Sequence, residues 1–458
     1  MAKKKTSKKG GKRAKPNTAL IIIAVVLLVI IIAAAVVVYF VKPDLYHKFI
    51  GLGEHTWSEY TVISEADCGN NGLKEHTCSV CEKTEEVIIP ATGNHTFDGE
   101  VCTVCGYDKS SPEGDLAGVQ SSGLSIHFIK FDNDKAGDSV LIKCGDTEVL
   151  IDAGSTQSSA TTIKTYIDPY VTDGKLEYVI ATHADQDHIA GLVGTSSNST
   201  YNGILYSYEI GTIIRFDKTN KSETTASGGR SMYGKFLDAI DYAVANKGAT
   251  AYTASQCWYE ADGANKTYYL DSENKVSLNI LYNYFYENKS SDENNYSLCI
   301  LLSHEISTDN YKHYLFTGDL EEKGEEYLVQ YNTLPEVELF KAGHHGSPTS
   351  SNTCLLEVIK PKYVAVCCCA GTDEYTKVTA NQFPSQAFID RVAPYTDYVF
   401  VTNMISDNAD GYEPMNGNIV FYVDGTKLKF YCSNNTTKLK DTEWFKANRT
   451  CPTAWQTS

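Results

Sequence analysis

The stretch KLEYVIATHADQDHIAGL, Lys175 to Leu192, constrains this chain more than any other part of it. Its first half is an apolar run of strand length, and an apolar pattern resumes at Ile189 and Leu192. Between them His183, Asp185, Asp187 and His188 place four cation-binding groups within the six residues from 183 to 188. A strand that stops at such a turn aims its next side chains out of the sheet's end, so all four can converge on one point. Two imidazoles offer neutral nitrogens and two carboxylates offer charge and hard oxygens, a set that suits a divalent cation. One His or Asp alone would read as a turn residue with satisfied hydrogen bonds. Four at this spacing point to a metal.

Two later segments repeat the pattern. LFTGDLEEKGE runs an apolar strand into Gly318 and Asp319 before a helix, and a carboxylate there can bridge cations. LFKAGHHGSPTS ends another strand at His344 and His345, flanked by Gly343 and Gly346, which let the backbone come close to a ligand. Strands and helices alternate around these motifs from about residue 121 to 432, so an α/β layered domain is expected there. LSIHFIKF and SVLIKCGDTEVLIDAG read as strands with a hairpin turn at Gly145–Asp146. KFLDAIDYAVANKG reads as a helix with Phe236, Leu237, Ile240 and Val244 on its apolar face and a stop at Gly248. Segments 195–230 and 260–296, rich in Asn, Ser, Tyr and Gly, read as surface loops, and 433–458 as a C-terminal tail.

The N-terminus is of a different kind. Residues 1–17 form a basic tail, with eight Lys or Arg and no acid in the first 15. The chain's net charge is −17, so the remainder carries −17 − 8 = −25. Within 18–41, the uncharged run Ala19–Val41 would reach roughly 34 Å as a helix, enough to span a bilayer core. A cleaved signal peptide is the rival reading, but its apolar part is shorter and ends at a small-residue cleavage site. A single-pass anchor in the cell membrane is expected, N-terminus cytoplasmic and the rest extracellular. An acidic exterior disfavours long polyanions such as nucleic acid, which need a basic groove.

Residues 53–107 hold five of the 14 cysteines and a weak repeat: HTW at His55 recurs as HTF at His95, and CSVC at Cys78–Cys81 recurs as CTVC at Cys102–Cys105. His55, Cys68, Cys78 and Cys81 could form a Cys3His structural zinc site, with His95, Cys102 and Cys105 as an incomplete second set. This zinc-ribbon-like module would act as a spacer or binding unit, and disulfides are the alternative outside the cell. The thiols Cys144, Cys299, Cys354 and Cys367–Cys369 read as small buried hydrophobes, and Cys432 with Cys451 as a conceivable bridge.

With FIKFDNDKAGDSVLI, EVLIDAGS, THADQDHIAGL, NNYSLCILL, LFTGDLEEKGE and KAGHHGS in this order over about 124–350, the chain resembles the metallo-β-lactamase superfamily. More narrowly it resembles the hydrolase domain of ComEC-type competence proteins. The resemblance implies a four-layer αβ/βα sandwich with metals at the shared edge of two sheets. It implies His183 and Asp185 on one metal, Asp187 and His188 on a second, and Asp319 bridging. His344 or His345 would complete the second site, with both candidates open. Asp152 would orient the ligand loop and Asp138 would lie near the site, unless both are plain turn residues.

The sequence departs from the family in three ways. Asp stands at 185 where His is commoner, which hardens that site toward manganese or magnesium beside zinc. The only candidates for a further His on the first metal are His304 and His313, neither in a motif. The later turn that carries a His in relatives reads GTDEYTKVTANQFPSQ here. One or two divalent ions, zinc or manganese, are therefore expected. A metal-activated hydroxide, with Asp187 and Asp319 as catalytic carboxylates, would hydrolyse a small or cell-wall phosphodiester. A catalytically weakened surface-binding protein and a nuclease acting on extracellular DNA are the alternatives. A channel for transport is not expected from one apolar segment.

Overall fold

Every second residue of the hairpin Val140–Cys144 and Thr147–Ile151 faces the same core: Val140, Ile142, Val149 and Ile151 point one way, Leu141 and Leu150 the other. That alternation, with both faces apolar, marks strands covered on two sides. Gly145 takes φ +57° in the two-residue turn between them, as the sequence implied.

The structure is a computed structural model that describes residues 56–65, 72–80, 83–89, 97–98, 101–102, 116–197, 200–308 and 310–456. The chain divides into two units, 1–91 and 92–458. Among the described residues no helix is long and apolar enough to cross a membrane. The expected span 19–41 lies outside them.

In the first unit three antiparallel strands, Thr61–Ser64, Gly72–Thr77 and Thr84–Ile89, form a sheet. The rings of Trp57 and Tyr60 each stack on His76 at 4.2 Å. Of the expected zinc ligands only Cys78, which is buried, has a described side chain. His55, Cys68, Cys81, His95 and Cys105 lie outside the described residues, as does the side chain of Cys102.

The second unit holds two eight-stranded sheets. In chain order the strands of the first are β1 (Leu124–Phe128), β2 (Val140–Cys144), β3 (Thr147–Ile151), β4 (Lys175–Ala181), β5 (Glu209–Arg215) and β6 (Thr250–Thr253). Those of the second are β7 (Thr267–Tyr269), β8 (Val276–Ile280), β9 (Ile300–Ser307), β10 (Asn310–Phe316), β11 (Leu339–Lys341), β12 (Tyr363–Ala370), β13 (Val399–Ile405) and β14 (Tyr412–Pro414). The chain then returns to the first sheet with β15 (Ile419–Asp424) and β16 (Lys427–Cys432). The spatial orders are β6-β5-β4-β3-β2-β1-β15-β16 and β7 through β14 in sequence.

Three apolar cores define the layers. Phe128, Ile142, Ile300, Phe316, Cys367 and Phe400 pack between the sheets. Leu150, Val179 and Ile213 pack outward against helices α1 (Ser159–Ile167), α2 (Gln186–Val193) and α3 (Met232–Asn246). Leu315, Val364 and Val401 pack outward against α4 (Glu322–Tyr331), α5 (Thr353–Ile359) and α6 (Gln386–Val392). The result is helix, sheet, sheet, helix: a mixed α/β sandwich.

Four expectations need correction. Segment 195–230 contains β5, whose Ile210, Ile213 and Ile214 are buried at the middle of a parallel ladder. Segment 260–296 contributes β7 and the buried Phe285, Tyr286 and Asn295. Their Asn and Tyr content hid short apolar runs. The expected tail 433–458 is part of the fold: Leu439, Phe445 and Trp455 enter the outer core of the second sheet. On α3 the buried face is Phe236, Ala239, Ile240 and Ala243, and Val244 is exposed, so small residues rather than Val244 complete the stripe.

Candidate metal centre

Parallel strands end together, and here those ends carry the motifs. β3 and β4 pair in parallel in one sheet, as do β10, β11 and β12 in the other. The residues that follow them (Asp152, Thr182–His188, Gly318–Asp319 and Gly343–Gly346) meet at one edge of the sandwich. Ligand sites favour the carboxyl ends of parallel strands.

The loops approach one another very closely. A Cβ on Gly154 would fall 1.6 Å from the carbonyl oxygen of Asp187, so only glycine lets the turn after β3 lie against the start of α2. His344 and His345 sit at φ +46° and +55°, a region that non-glycine residues rarely adopt. The surrounding bonds hold that strained turn. Gly343 N–H donates to Ser351 Oγ at 3.1 Å, and the Arg391 guanidinium donates to the carbonyls of Pro348, Ser350 and Ser351.

Asp187, His188, Asp319 and His345 each offer a ligand atom, and these four atoms lie within 4.8 Å of one another. His188 Nε2 and His345 Nε2 are 3.1 and 3.2 Å from Asp319 Oδ2, and His345 Nε2 is 3.3 Å from Asp187 Oδ2. Each imidazole is tied at its other nitrogen. His188 Nδ1–H donates to Asp152 Oδ2 at 2.7 Å, and His345 Nδ1–H donates to the Cys367 carbonyl at 2.9 Å. That fixes the tautomer and leaves both Nε2 lone pairs facing inward. Both Nε2 atoms and Asp319 Oδ1 are buried without a hydrogen bond. Buried polar atoms with no partner are costly, and a cation among them would satisfy all at once. The donor set therefore fits a divalent metal ion.

Carboxylates dominate the electrostatics. Burial opposes a charged imidazole, yet Asp319 and Asp152 outweigh it and hold the His188 pKa well above the ordinary value. Burial likewise opposes charge on His345, and Asp319 and Asp138 outweigh it. Asp319 goes the other way: burial favours its neutral form, but His188 and His345 pull its pKa well down. A cation competes with those protons for the same lone pairs.

The remaining expected residues fall into two groups. Asp152 and Asp138 are buried beside the cage, not on exposed turns. Asp152 sits at φ +57° and accepts from Thr182 N–H at 2.8 Å and Thr182 Oγ at 2.7 Å besides His188. Asp138 Oδ1 is 3.2 Å from His345 Nδ1. His183, Asp185 and His344 stand apart from the four-donor set. His183 Nε2 is 3.6 Å from Asp185 Oδ2. His344 lies at the rim, its Nε2 3.9 Å from Asp319 Oδ2 and its Nδ1 3.3 Å from Glu321 Oε1. His304 and His313 pair across β9 and β10 with Lys312 and Ser303, at the far end from Asp319, out of reach of the cage. Cys432 and Cys451 are separate thiols and form no bridge.

Sequence reasoning missed three residues. Lys341, fully buried, places its ammonium 2.5 Å from Asp138 Oδ2 and 3.8 Å from Asp319 Oδ1. Burial opposes its charge, but those carboxylates outweigh the cost and raise its pKa. A lysine inside the apolar strand before HHGS was the available signal. Lys221 contacts Asp185 Oδ1 from a segment read as loop. Tyr375 OH donates to Asp187 Oδ2 at 2.6 Å, from the stretch that lacks a histidine. Phe383 of the same stretch packs on the rings of His344 and His345.

The sequence model of the Metallo-beta-lactamase superfamily matches residues 132–232, which include THADQDH. No curated protein matches the chain. Among solved structures, the metallo-beta-lactamase SMB-1 bound to 2-mercaptoethanesulfonate is 13% identical, with a TM-score of 0.25 over 43% of this chain and 64% of its own. A variant of the CmlA beta-hydroxylase is 10% identical, with a TM-score of 0.30 over 58% of this chain and 47% of its own. A metallo-beta-lactamase variant from Cronobacter sakazakii is 13% identical, with a TM-score of 0.26 over 45% and 70%. The chain thus spans less than two thirds of the length of the first two. The family match falls on the segment that carries Asp138, Asp152, Asp187 and His188, so residues 132–232 are similar to the Metallo-beta-lactamase superfamily.

Proposed function

We propose that this protein is a metal-dependent hydrolase of phosphodiester bonds, carried outside the cell on a single N-terminal membrane anchor. The supporting observation is the cage itself: two imidazoles tied at Nδ1, two carboxylates and three partnerless buried atoms around one point. Asp187, His188, Asp319 and His345 would hold the ion. A divalent metal bound there supplies Lewis acidity and makes water acidic near neutral pH.

The chain's own residues do the rest. Asp152 and the Cys367 carbonyl orient the two imidazoles. Lys341 compensates the charge of Asp138 and so keeps that buried carboxylate from needing a second ion. Tyr375 and Phe383 lie beside the cage, Tyr375 on Asp187 and Phe383 on the His345 ring. Tyr375 also brings a hydroxyl donor beside Asp187, within reach of an anionic oxygen held at the site. A phosphodiester suits a dication beside fixed ammonium groups better than a neutral amide does. The net charge of −17 favours a small or cell-wall phosphodiester over long nucleic acid.

The purified full chain, loaded with manganese or zinc, is expected to hydrolyse bis(p-nitrophenyl) phosphate and to lose that activity on chelation. Metal bound with no turnover across phosphodiester, lactone and β-lactam substrates would favour a surface-binding protein that has lost catalysis. That second reading draws support from Asp185 being engaged by Lys221.

A further inference from the structure

Lys221 reaches Asp185 from a built position. Its neighbour Asn220 is tied on three sides: N–H to Glu293 Oε2 at 2.6 Å, Nδ2 to the Ser290 carbonyl at 3.2 Å, and Oδ1 from Tyr296 OH at 3.4 Å. Lys221 N–H itself donates to Thr219 Oγ1 at 2.9 Å. The backbone is fixed before the side chain extends, so less entropy is lost in placing the ammonium.

Two carboxylates of the centre are paired with ammonium groups. Asp138 has Lys341. Asp185 has Lys221 on one oxygen, and its other oxygen is 3.6 Å from His183 Nε2, which is buried without a hydrogen bond. Asp152 accepts three hydrogen bonds. Asp187 and Asp319 have no ammonium in hydrogen-bond contact among the described residues, and both lie in the four-donor cage. A second ion would have, among the described residues, only His183 and Asp185 as ligands of its own, because His304 and His313 lie at the other end of their strands.

We propose that the centre binds a single divalent ion, in the Asp187–His188–Asp319–His345 cage, and that the Lys221 ammonium takes the place of a second ion at Asp185. This rests on reading the cage as a metal site. The side chain of Lys221 is 44% exposed, so its charge is also open to solvent.

The test counts ions. The full chain is stripped with chelator, titrated calorimetrically with Mn²⁺ or Zn²⁺, and its metal content measured after dialysis by plasma mass spectrometry. Wild type is expected to hold one ion. Lys221→Met is expected to gain a second, binding roughly tenfold or more tighter than any second ion in wild type. Lys221→Arg, which keeps the charge, is expected to stay at one, and Asp185→Asn to retain the first ion with its affinity nearly unchanged. Circular dichroism checks each fold, and should Lys221→Met not fold, Lys221→Arg and Asp185→Asn still decide. Two ions of similar affinity in wild type, no gain in a folded Lys221→Met, or loss of the ion in Asp185→Asn would overturn the role given to Lys221 and leave the metal centre standing. A wild-type chain that binds no ion would overturn the centre itself.

Discussion

His183 and His188 leave the same short turn, yet their surroundings differ at every distance. His188 has its Nδ1 on the Asp152 carboxylate at 2.7 Å and its Nε2 3.1 Å from Asp319. Among the described residues, His183 has the Thr182 hydroxyl at 3.2 Å behind it and Asp185 at 3.6 Å in front. The carboxylates divide the same way. Asp319 is buried and shared by two imidazoles, while Asp185 is 27% exposed and already paired with Lys221. Four donors in six residues need not make two equal halves. What makes one half a cage is the support behind it, supplied by β3, β10 and β12 from far along the chain.

The largest effect should come from removing the group both imidazoles share. Asp319→Ala is expected to lower metal retention and phosphodiester hydrolysis by roughly a thousandfold, whereas Asp185→Asn should cost only a few-fold. Steady-state kinetics and metal content on both variants check this, and equal losses would erase the distinction between the halves. Next is the support itself. Asp152→Asn keeps the shape but weakens acceptance from His188, and should reduce metal affinity about 10- to 100-fold by competition with a chromophoric chelator. Replacing Thr182, the group behind His183, by Val would be a poor control because it also donates to Asp152.

The same contrast decides how much was legible beforehand. His183, Asp185, Asp187 and His188 announce themselves because four ligand side chains in six residues have no common structural explanation. Asp319 and the HHGS turn were legible as polar residues at the ends of apolar strands. The choice between His344 and His345 was not. It depends on a turn in which both residues take positive φ, so strand alternation no longer says which side chain points inward. Lys221 was hidden because its contact with Asp185 depends on how the loop before α3 folds back, bound to Glu293, Ser290 and Tyr296. The chain's final segment looked like a tail because Leu439, Phe445 and Trp455 are too widely spaced for one periodic element.

A smaller effect should separate the cage with and without its ion. The raised pKa values of His188 and His345 mean that the metal-free fold gains stability from their protonation. For a group whose folded pKa is raised, that gain is complete below the ordinary value of 6.5 and is lost as pH rises through the folded value. The depressed Asp319 contributes in the opposite sense, losing its share only as pH falls below its ordinary 3.8. Metal-free protein should therefore melt at progressively lower temperature above pH 6.5, while the loaded form, with a cation where the protons were, should hold its Tm over the same range. Thermal scans with and without chelator measure this. Parallel curves would mean that protons and metal do not compete for these two nitrogens.

The smallest effect concerns the residue that touches both the cage and solvent. Tyr375 OH donates to Asp187 Oδ2 at 2.6 Å, but its side chain is half exposed, so water can replace much of that bond. A charge-assisted bond in such a place contributes about 1 kcal/mol, which corresponds to roughly fivefold. Tyr375→Phe keeps the ring against Phe383 and removes only the hydroxyl. If Tyr375 serves the substrate, kcat/KM for bis(p-nitrophenyl) phosphate should fall by about that factor with metal content unchanged. If it serves Asp187 instead, metal affinity should move with the activity. The ratio of the two losses, measured on one preparation, therefore tells whether the stretch lacking the relatives' histidine has kept a hand on the substrate or only on the cage.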